Sequence, residues 1–103
     1  MKQDYWEIPP ENLEEVQRNA WSIENMAAHG AAGRSYSYIG SARKGALDGD
    51  SRNGTLIHDY FKDAAGQYWF SARALLPNGD LVSINKYLFG HETRKAGGKR
   101  RWN

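Results

Sequence analysis

Residues 55–88, TLIHDYFKDAAGQYWFSARALLPNGDLVSINKYL, contain two turn signals between three strand-like runs. Asp63-Ala64-Ala65-Gly66 and Leu76-Pro77-Asn78-Gly79 each fit a type I turn followed by a glycine at positive φ, the usual three-residue hairpin loop. We therefore predict strands over residues 55–63, 67–76 and 80–88, joined as an antiparallel β-meander. The turns also fix the pairing, because paired positions then sum to 130 across the first hairpin and to 156 across the second.

This pairing divides the predicted sheet into two faces. The apolar face holds three rows across the strands: Leu56, Ala74 and Val82; His58, Ala72 and Ile84; Tyr60, Phe70 and Lys86. The opposite face is polar and aromatic, with the rows Ile57, Arg73 and Ser83; Asp59, Ser71 and Asn85; Phe61, Trp69 and Tyr87. A shift of one residue would exchange every side chain between the faces, so the assignment depends on the two turns.

A helix is predicted over residues 10–28, before the meander. Pro9-Pro10 supplies a proline for the first turn, and Glu11 and its acidic neighbours favour the positive end of the helix dipole. Apolar residues then recur at three- and four-residue spacing: Leu13, Val16, Ala20, Ile23 and Ala27. Gly30 suits a C-cap. We expect this helix to dock on the apolar face of the sheet.

Between helix and meander, residues 31–54 are rich in Gly, Ser, Ala and charge. The alternating run over residues 35–39 fits a short strand, and residues 40–54 are predicted to be a long loop. The predicted fold class is α+β, with one N-terminal helix packed on a three- to four-stranded antiparallel β-meander. Residues 1–90 form the single predicted domain, and residues 91–103 a flexible basic C-terminal tail.

Composition limits the function classes. The 103 residues contain no cysteine, which excludes thiolate catalysis and Cys-ligated zinc and favours a reducing, cytoplasmic location. No apolar run approaches the roughly 20 residues of a membrane-spanning helix, and we expect no membrane partner. Four Trp, six Tyr and three Phe provide large apolar surfaces for a core or an interface.

Charge is distributed unevenly along the chain. The net charge is +2, but residues 1–30 carry −4 and the remainder +6. The basic excess is greatest in the tail: Arg94, Lys95, Lys99, Arg100 and Arg101. These side chains could contact phosphates, although a solvated, solubilising tail is the commoner use of such a cluster.

The predicted polar and aromatic face is the main candidate for binding. Its candidate residues are Phe61, Trp69, Arg73, Asn85 and Tyr87. Trp, Tyr and Arg dominate the energetics of protein interfaces, and aromatic side chains on a sheet can stack nucleic-acid bases. The alternative is that another segment covers this face as a second small core. The sequence leaves both interpretations open.

Catalytic and metal sites are poorly supported. His58 falls on the predicted core face, while His29 and His91 lie outside the predicted strands. Asp48-Gly49-Asp50-Ser51-Arg52-Asn53-Gly54 has some resemblance to a calcium loop, but Arg52 occupies a ligand position and Asn53 replaces the required glycine. We expect no metal and no cofactor, and an enzyme is not favoured.

The sequence therefore favours a non-catalytic protein-binding module of the inhibitor or adaptor type, acting through the aromatic sheet face and the glycine-rich loop. The modest net charge favours a protein partner over nucleic acid. A single-stranded nucleic-acid-binding protein is the first alternative, and a small ribonuclease-like enzyme is the second. The identity of the partner, the oligomeric state and the role of residues 31–54 stay open at this level.

Overall fold

The computed structural model describes residues 6–25 and 35–88. Its helices are α1 (Pro10–Asn19) and a short α2 over residues 84–88. Its strands are β1 (Ala20–Ser22), β2 (Tyr36–Ala46), β3 (Thr55–Asp63), β4 (Tyr68–Leu75) and β5 (Leu81–Ser83). Short 3₁₀ turns lie at Ile23–Asn25, Leu47–Gly49 and Ser51–Asn53. The fold is α+β, but the sheet is mixed rather than purely antiparallel.

Both hairpin turns are confirmed. Gly66 and Gly79 have φ values of 88° and 97°, and the amide of each donates to the carbonyl three residues earlier. β3 pairs with β4 in the predicted register, as in Leu56 opposite Ala74, and β5 pairs with β4 with Val82 opposite Ala74. Two short glycine-terminated turns thus fixed eleven residue pairs in the meander.

The third strand of the meander is shorter than predicted. β5 ends at Ser83, and residues 84–88 turn into α2 instead of continuing the strand to residue 88. The Ser83 hydroxyl accepts a hydrogen bond from the Lys86 amide at 3.1 Å, which is the geometry of a helix N-cap. The predicted rows beyond Ser83 are therefore wrong, including the one that placed Tyr87 beside Trp69.

The predicted helix over residues 10–28 is too long. α1 ends at Asn19, and Ala20 is already extended, with φ −85° and ψ 136°. The next residues form β1, which pairs in parallel with β4 from Ala20–Tyr68 to Ser22–Phe70. β5 occupies only the other end of this β4 edge, so β1 supplies backbone partners that the buried strand needs. Residues 26–34 lie outside the described part of the chain.

The long loop predicted over residues 40–54 is wrong in its first half. β2 runs for eleven residues and pairs antiparallel with β3. The register shifts between Tyr38 and Gly40 and again between Arg43 and Gly45. Gly40 needs to be glycine because a Cβ there would lie 2.5 Å from Ile8 Cγ1. These two bulges interrupt the alternation of side chains that identifies a strand in a sequence.

The core on the predicted apolar face forms two clusters, while the opposite face buries Ile57 and Trp69 completely. Beneath α1, buried Val16 and Ile8 pack with Tyr60 and Ala42, and Leu13 and Ala20 pack against them. Beneath α2, buried Leu47, Ala74 and Tyr87 form the second cluster. Docking of the helix on the apolar face is confirmed for Leu13 and Val16, whereas Ala20 packs against the same cluster from β1 and Ile23 lies in the 3₁₀ turn after it.

Candidate functional site

Trp69 is the largest residue of the predicted binding row, and it is completely buried, with 0% of its surface exposed. Its indole Nε1 donates to Asp63 Oδ2 at 3.0 Å, while Asp63 Oδ1 accepts from the Gln67 amide at 2.9 Å. Asp63 therefore ties the first hairpin turn to the Trp69 ring. In this conformation Trp69 offers no surface to a partner.

The aromatic row continues from Trp69 towards β2 rather than towards β5. The Tyr36 ring meets Trp69 edge-on with 6.0 Å between centroids, and it meets half-buried Phe61 in the same way at 6.3 Å. The Tyr38 ring also meets the Phe61 ring edge-on, with 5.8 Å between their centroids. The row thus leads from the interior to Tyr38, which is 43% exposed.

Polar groups on the same face form a connected network. Arg73 donates to both carboxylate oxygens of buried Asp59, through Nε at 2.5 Å and Nη2 at 2.9 Å. Ser41 Oγ also donates to Asp59 Oδ1 at 2.6 Å, and it lies 2.6 Å from the Tyr38 hydroxyl. The Tyr38 hydroxyl in turn accepts from the Trp6 amide at 3.1 Å. A continuous chain therefore links the buried ion pair to the N-terminal segment.

The two candidates from the end of the meander are not part of this row. Tyr87 lies in α2 and packs in the cluster with Leu47 and Ala74, on the opposite face from Trp69, and its hydroxyl donates to Asp48 Oδ2 at 3.1 Å. Asn85 is exposed in α2 rather than opposite Ser71. The helical turn after Ser83 causes both changes. The candidates of the basic tail, Arg94 to Arg101, lie outside the described residues.

His58 occupies the predicted apolar face between the two core clusters. Its ring stacks on Phe70 with centroids 4.4 Å apart, and its Nδ1 lies 3.3 Å from the Tyr60 hydroxyl. Burial lowers the pKa of His58, and the charge of Lys44 lowers it further, against smaller opposing effects of Asp59 and Glu24. The same burial raises the pKa of the Tyr60 phenol. These contacts describe a half-buried histidine packed against the aromatic side chains of the core. His29 and His91 lie outside the described residues.

The segment that resembles a calcium loop is folded around its own side chains. Asp50 forms an ion pair with Arg52 at 2.7 Å and accepts the Arg52 amide, so both partners are committed to each other. Asp48 accepts a hydrogen bond from the Tyr87 hydroxyl. Within residues 6–25 and 35–88, no group of three or more His, Asp or Glu side chains is placed to hold a metal ion. No helix in these ranges is long and apolar enough to cross a membrane.

The most exposed aromatic side chain of the described residues belongs to Trp6, at 71%. Its backbone is nevertheless fixed: the Ser41 amide donates to the Trp6 carbonyl at 2.6 Å, and the Ile8 amide donates to the Ser41 carbonyl at 2.8 Å. Residues 6–8 thereby extend along the outer edge of β2. Ile39, in β2, is 38% exposed. We call Trp6, Tyr38 and Ile39 the edge surface.

An open pocket of about 270 Å³ lies beside the edge surface, between α1 and the neighbouring ends of the strands. Its lining is Ile8, Pro9, Asn12, Glu15, Val16, Ile39, Lys62 and Tyr68. The Lys62 ammonium group stands 5.3 Å from the centroid of the Tyr68 ring. The lining of the pocket is thus mixed, with apolar side chains beside Asn12 and beside one acidic and one basic side chain.

Comparisons with known proteins give no relative: no family model, curated protein or solved structure matches this chain. The sequence had placed Trp69 correctly on the non-helix face but missed the edge surface. The alternation over residues 35–39 indicated the strand that carries Tyr38 and Ile39. The pairing of Glu7 with Ser41, which places Trp6 on the edge, has no local signal because 34 residues separate the two partners.

Proposed function

We propose that this protein is a non-catalytic protein-binding module, of the inhibitor or adaptor type, and that it contacts its partner through the edge surface. The observation that carries the proposal is the Trp6 side chain, 71% exposed on a backbone held by hydrogen bonds to Ser41 and Tyr38. A large aromatic side chain on a fixed backbone loses little conformational entropy on binding, and tryptophan is enriched at interface hot spots.

The surroundings of Trp6 support the same function. Three of the five large exposed hydrophobic residues in the described chain, Trp6, Tyr38 and Ile39, belong to β2 or to the segment paired with it, although Tyr38 packs on the Phe61 side of the sheet and Ile39 lines the pocket on the α1 side. Exposed hydrophobic residues that stand singly need no explanation, and it is the degree of exposure of Trp6 that distinguishes this edge. The polar network behind Tyr38 ends on the buried Asp59–Arg73 pair, which fixes the edge from within.

A pull-down from native lysate tests the proposal, with bound proteins quantified by mass spectrometry and half of each sample treated with nuclease. The baits are the wild-type chain, Trp6→Ala, and Leu88→Ala as a matched control, since Leu88 is 45% exposed but lies in α2. We expect one protein captured in stoichiometric amounts by the wild type and by Leu88→Ala. Trp6→Ala should weaken its binding about 30-fold, corresponding to about 2 kcal/mol.

Two outcomes would count against the proposal. Equal capture by all three baits would mean that the partner binds elsewhere. Nucleic acid in the eluate, with capture lost after nuclease treatment, would favour the single-stranded nucleic-acid-binding alternative. Salt gives an independent criterion, because binding through phosphates weakens steeply between 50 and 200 mM salt (about 10³-fold or more for six contacts). Binding anchored on Trp6 should depend on salt only mildly.

A further inference from the structure

We propose that the pocket beside α1 is the anchor subsite of this module, and that it takes one apolar or aromatic side chain of the partner, next to a basic residue. This inference rests on the proposed function and specifies its partner. For brevity the pocket lined by Ile8, Val16, Ile39, Tyr68 and the charged residues Glu15 and Lys62 is called the anchor pocket.

The walls of the anchor pocket are held in place before any partner arrives. Ile8 and Val16 belong to the buried cluster beneath α1, against which Tyr68 also packs. The Ile8 amide is bonded to the Ser41 carbonyl, and the Ile8 side chain lies so close to Gly40 that a Cβ there would meet it at 2.5 Å. Preformed walls remove the cost of ordering the site on binding.

The size of the anchor pocket indicates what can enter. Small-molecule and cofactor sites commonly measure roughly 300–1,000 Å³ and enclose most of the ligand. This pocket, at about 270 Å³, lies just below that range and is open to solvent on one side. It therefore suits a single large side chain projecting from a second protein better than a cofactor. Ile39, partly exposed at its rim, offers apolar surface that such a side chain would cover.

The acidic residues near the pocket indicate which type of residue should lie beside the partner side chain that enters it. Glu14 and Glu7 are paired with Arg18 and Arg43, but Glu11 and Glu15 form no ion pair within the described part of the chain. These two carboxylates are four residues apart on one helix face, and Glu15 lines the anchor pocket. Lys62, the basic residue of the lining, belongs to β3 and stands over the Tyr68 ring, whereas both carboxylates belong to α1. A partner with a basic residue beside its anchor complements this pair of carboxylates.

Nuclear magnetic resonance titration of the full, ¹⁵N-labelled chain tests the inference without knowledge of the partner. The probes are acetyl-Trp-Lys-amide and acetyl-Trp-Glu-amide at low salt. We expect progressive amide shifts around Val16, Ile39 and Lys62, with the lysine peptide bound about threefold more tightly, as exposed charge pairs allow. Glu15→Lys should abolish or reverse this preference. Glu14→Lys is the matched control, since Glu14 does not line the pocket, and should retain it.

Failure of this inference can be told apart from failure of the proposed function. Absence of shifts around the anchor pocket, equal affinity for the two peptides, or the same response of Glu15→Lys and Glu14→Lys would each overturn the anchor pocket. A Trp6-dependent protein partner could still be captured in that event. Conversely, a pocket that binds the lysine peptide as expected would stand even if Trp6→Ala captured the same proteins as the wild type.

Discussion

Arg73 on β4 and Asp59 on β3 form a two-pronged ion pair in which each carboxylate oxygen accepts one guanidinium N–H. The residues are diagonal neighbours, because Arg73 lies opposite Ile57 and Asp59 opposite Ser71. The Asp59 side chain is only 7% exposed, so its charge depends on Arg73 and on the Ser41 hydroxyl. The hydrogen bonds from Arg73 and Ser41 therefore take the place of the water molecules that would solvate this carboxylate at the surface.

Breaking this pair from one side should be costly. Asp59→Asn preserves the shape but removes the buried carboxylate charge to which Arg73 donates two N–H groups, and we expect the free energy of unfolding to fall by about 3 kcal/mol. Chemical denaturation measures the loss. Asp50→Asn is the control: it removes a carboxylate from the exposed pair with Arg52 and should change stability little. Equal effects of the two variants would contradict the role given to the buried network.

Trp69 should act as a core residue. Truncation by Trp69→Ala removes a fully buried ring together with the hydrogen bond that its N–H donates to Asp63, and we expect a loss of about 4 kcal/mol of folding stability. Trp6→Ala should leave the melting temperature almost unchanged, since the Trp6 ring is mostly in solvent. If Trp69→Ala were as stable as the wild type, Trp69 would not be a core residue. The face that carries it would then again be a candidate binding surface.

The sequence predicted those parts of the fold that depend on local chemistry. The two turns required glycine at positive φ, and once they were placed the registers and the two faces followed, including Ile57, Asp59 and Trp69 on the side away from α1. Pro10 in the first turn of α1 is another local signal that the structure confirms.

The misses occurred where tertiary pairing overrides local preference. Ala20 packs against the core cluster beneath α1, as predicted, but it belongs to a strand rather than to the helix. The reason is tertiary, because β1 pairs with the outer edge of β4. The Ser83 cap, worth about 1 kcal/mol, lay inside a run that also fitted a strand. Bulges at Gly40 and Gly45 interrupt the alternation of side chains, so the sequence of the second half of β2 predicted a loop. The edge surface followed from none of these, because it depends on contact between residues 6–8 and Ser41.

Two glycines at positive φ should differ in their tolerance of a side chain. At Gly66, φ is 88° and an added Cβ meets nothing within 4 Å, so Gly66→Ala should cost about 1 kcal/mol from backbone strain alone. At Gly54, φ is 115° and a Cβ would lie 2.3 Å from the Leu75 carbonyl oxygen, so Gly54→Ala must also displace β4. Denaturation should show a clearly larger loss for Gly54→Ala. Similar losses would argue against this close approach of Gly54 and β4.

The last prediction concerns pH. Burial, with help from Lys44, lowers the pKa of His58 in the folded chain below its usual value of about 6.5. Above that value both the folded and unfolded states hold a neutral imidazole, and the full stability is present. As the pH falls through about 6.5, the unfolded state binds a proton more readily than the folded state. The free energy of unfolding should therefore decrease, and the decrease should level off below the folded pKa.

His58→Phe tests this assignment because phenylalanine keeps the stacking on Phe70 but cannot titrate. Denaturation between pH 8 and 5 should show a flatter profile for His58→Phe than for the wild type, whatever its absolute stability. His29→Gln and His91→Gln, measured in parallel, show how much of the slope comes from the other two histidines. Parallel profiles for the wild type and His58→Phe would show that the proton responsible binds elsewhere.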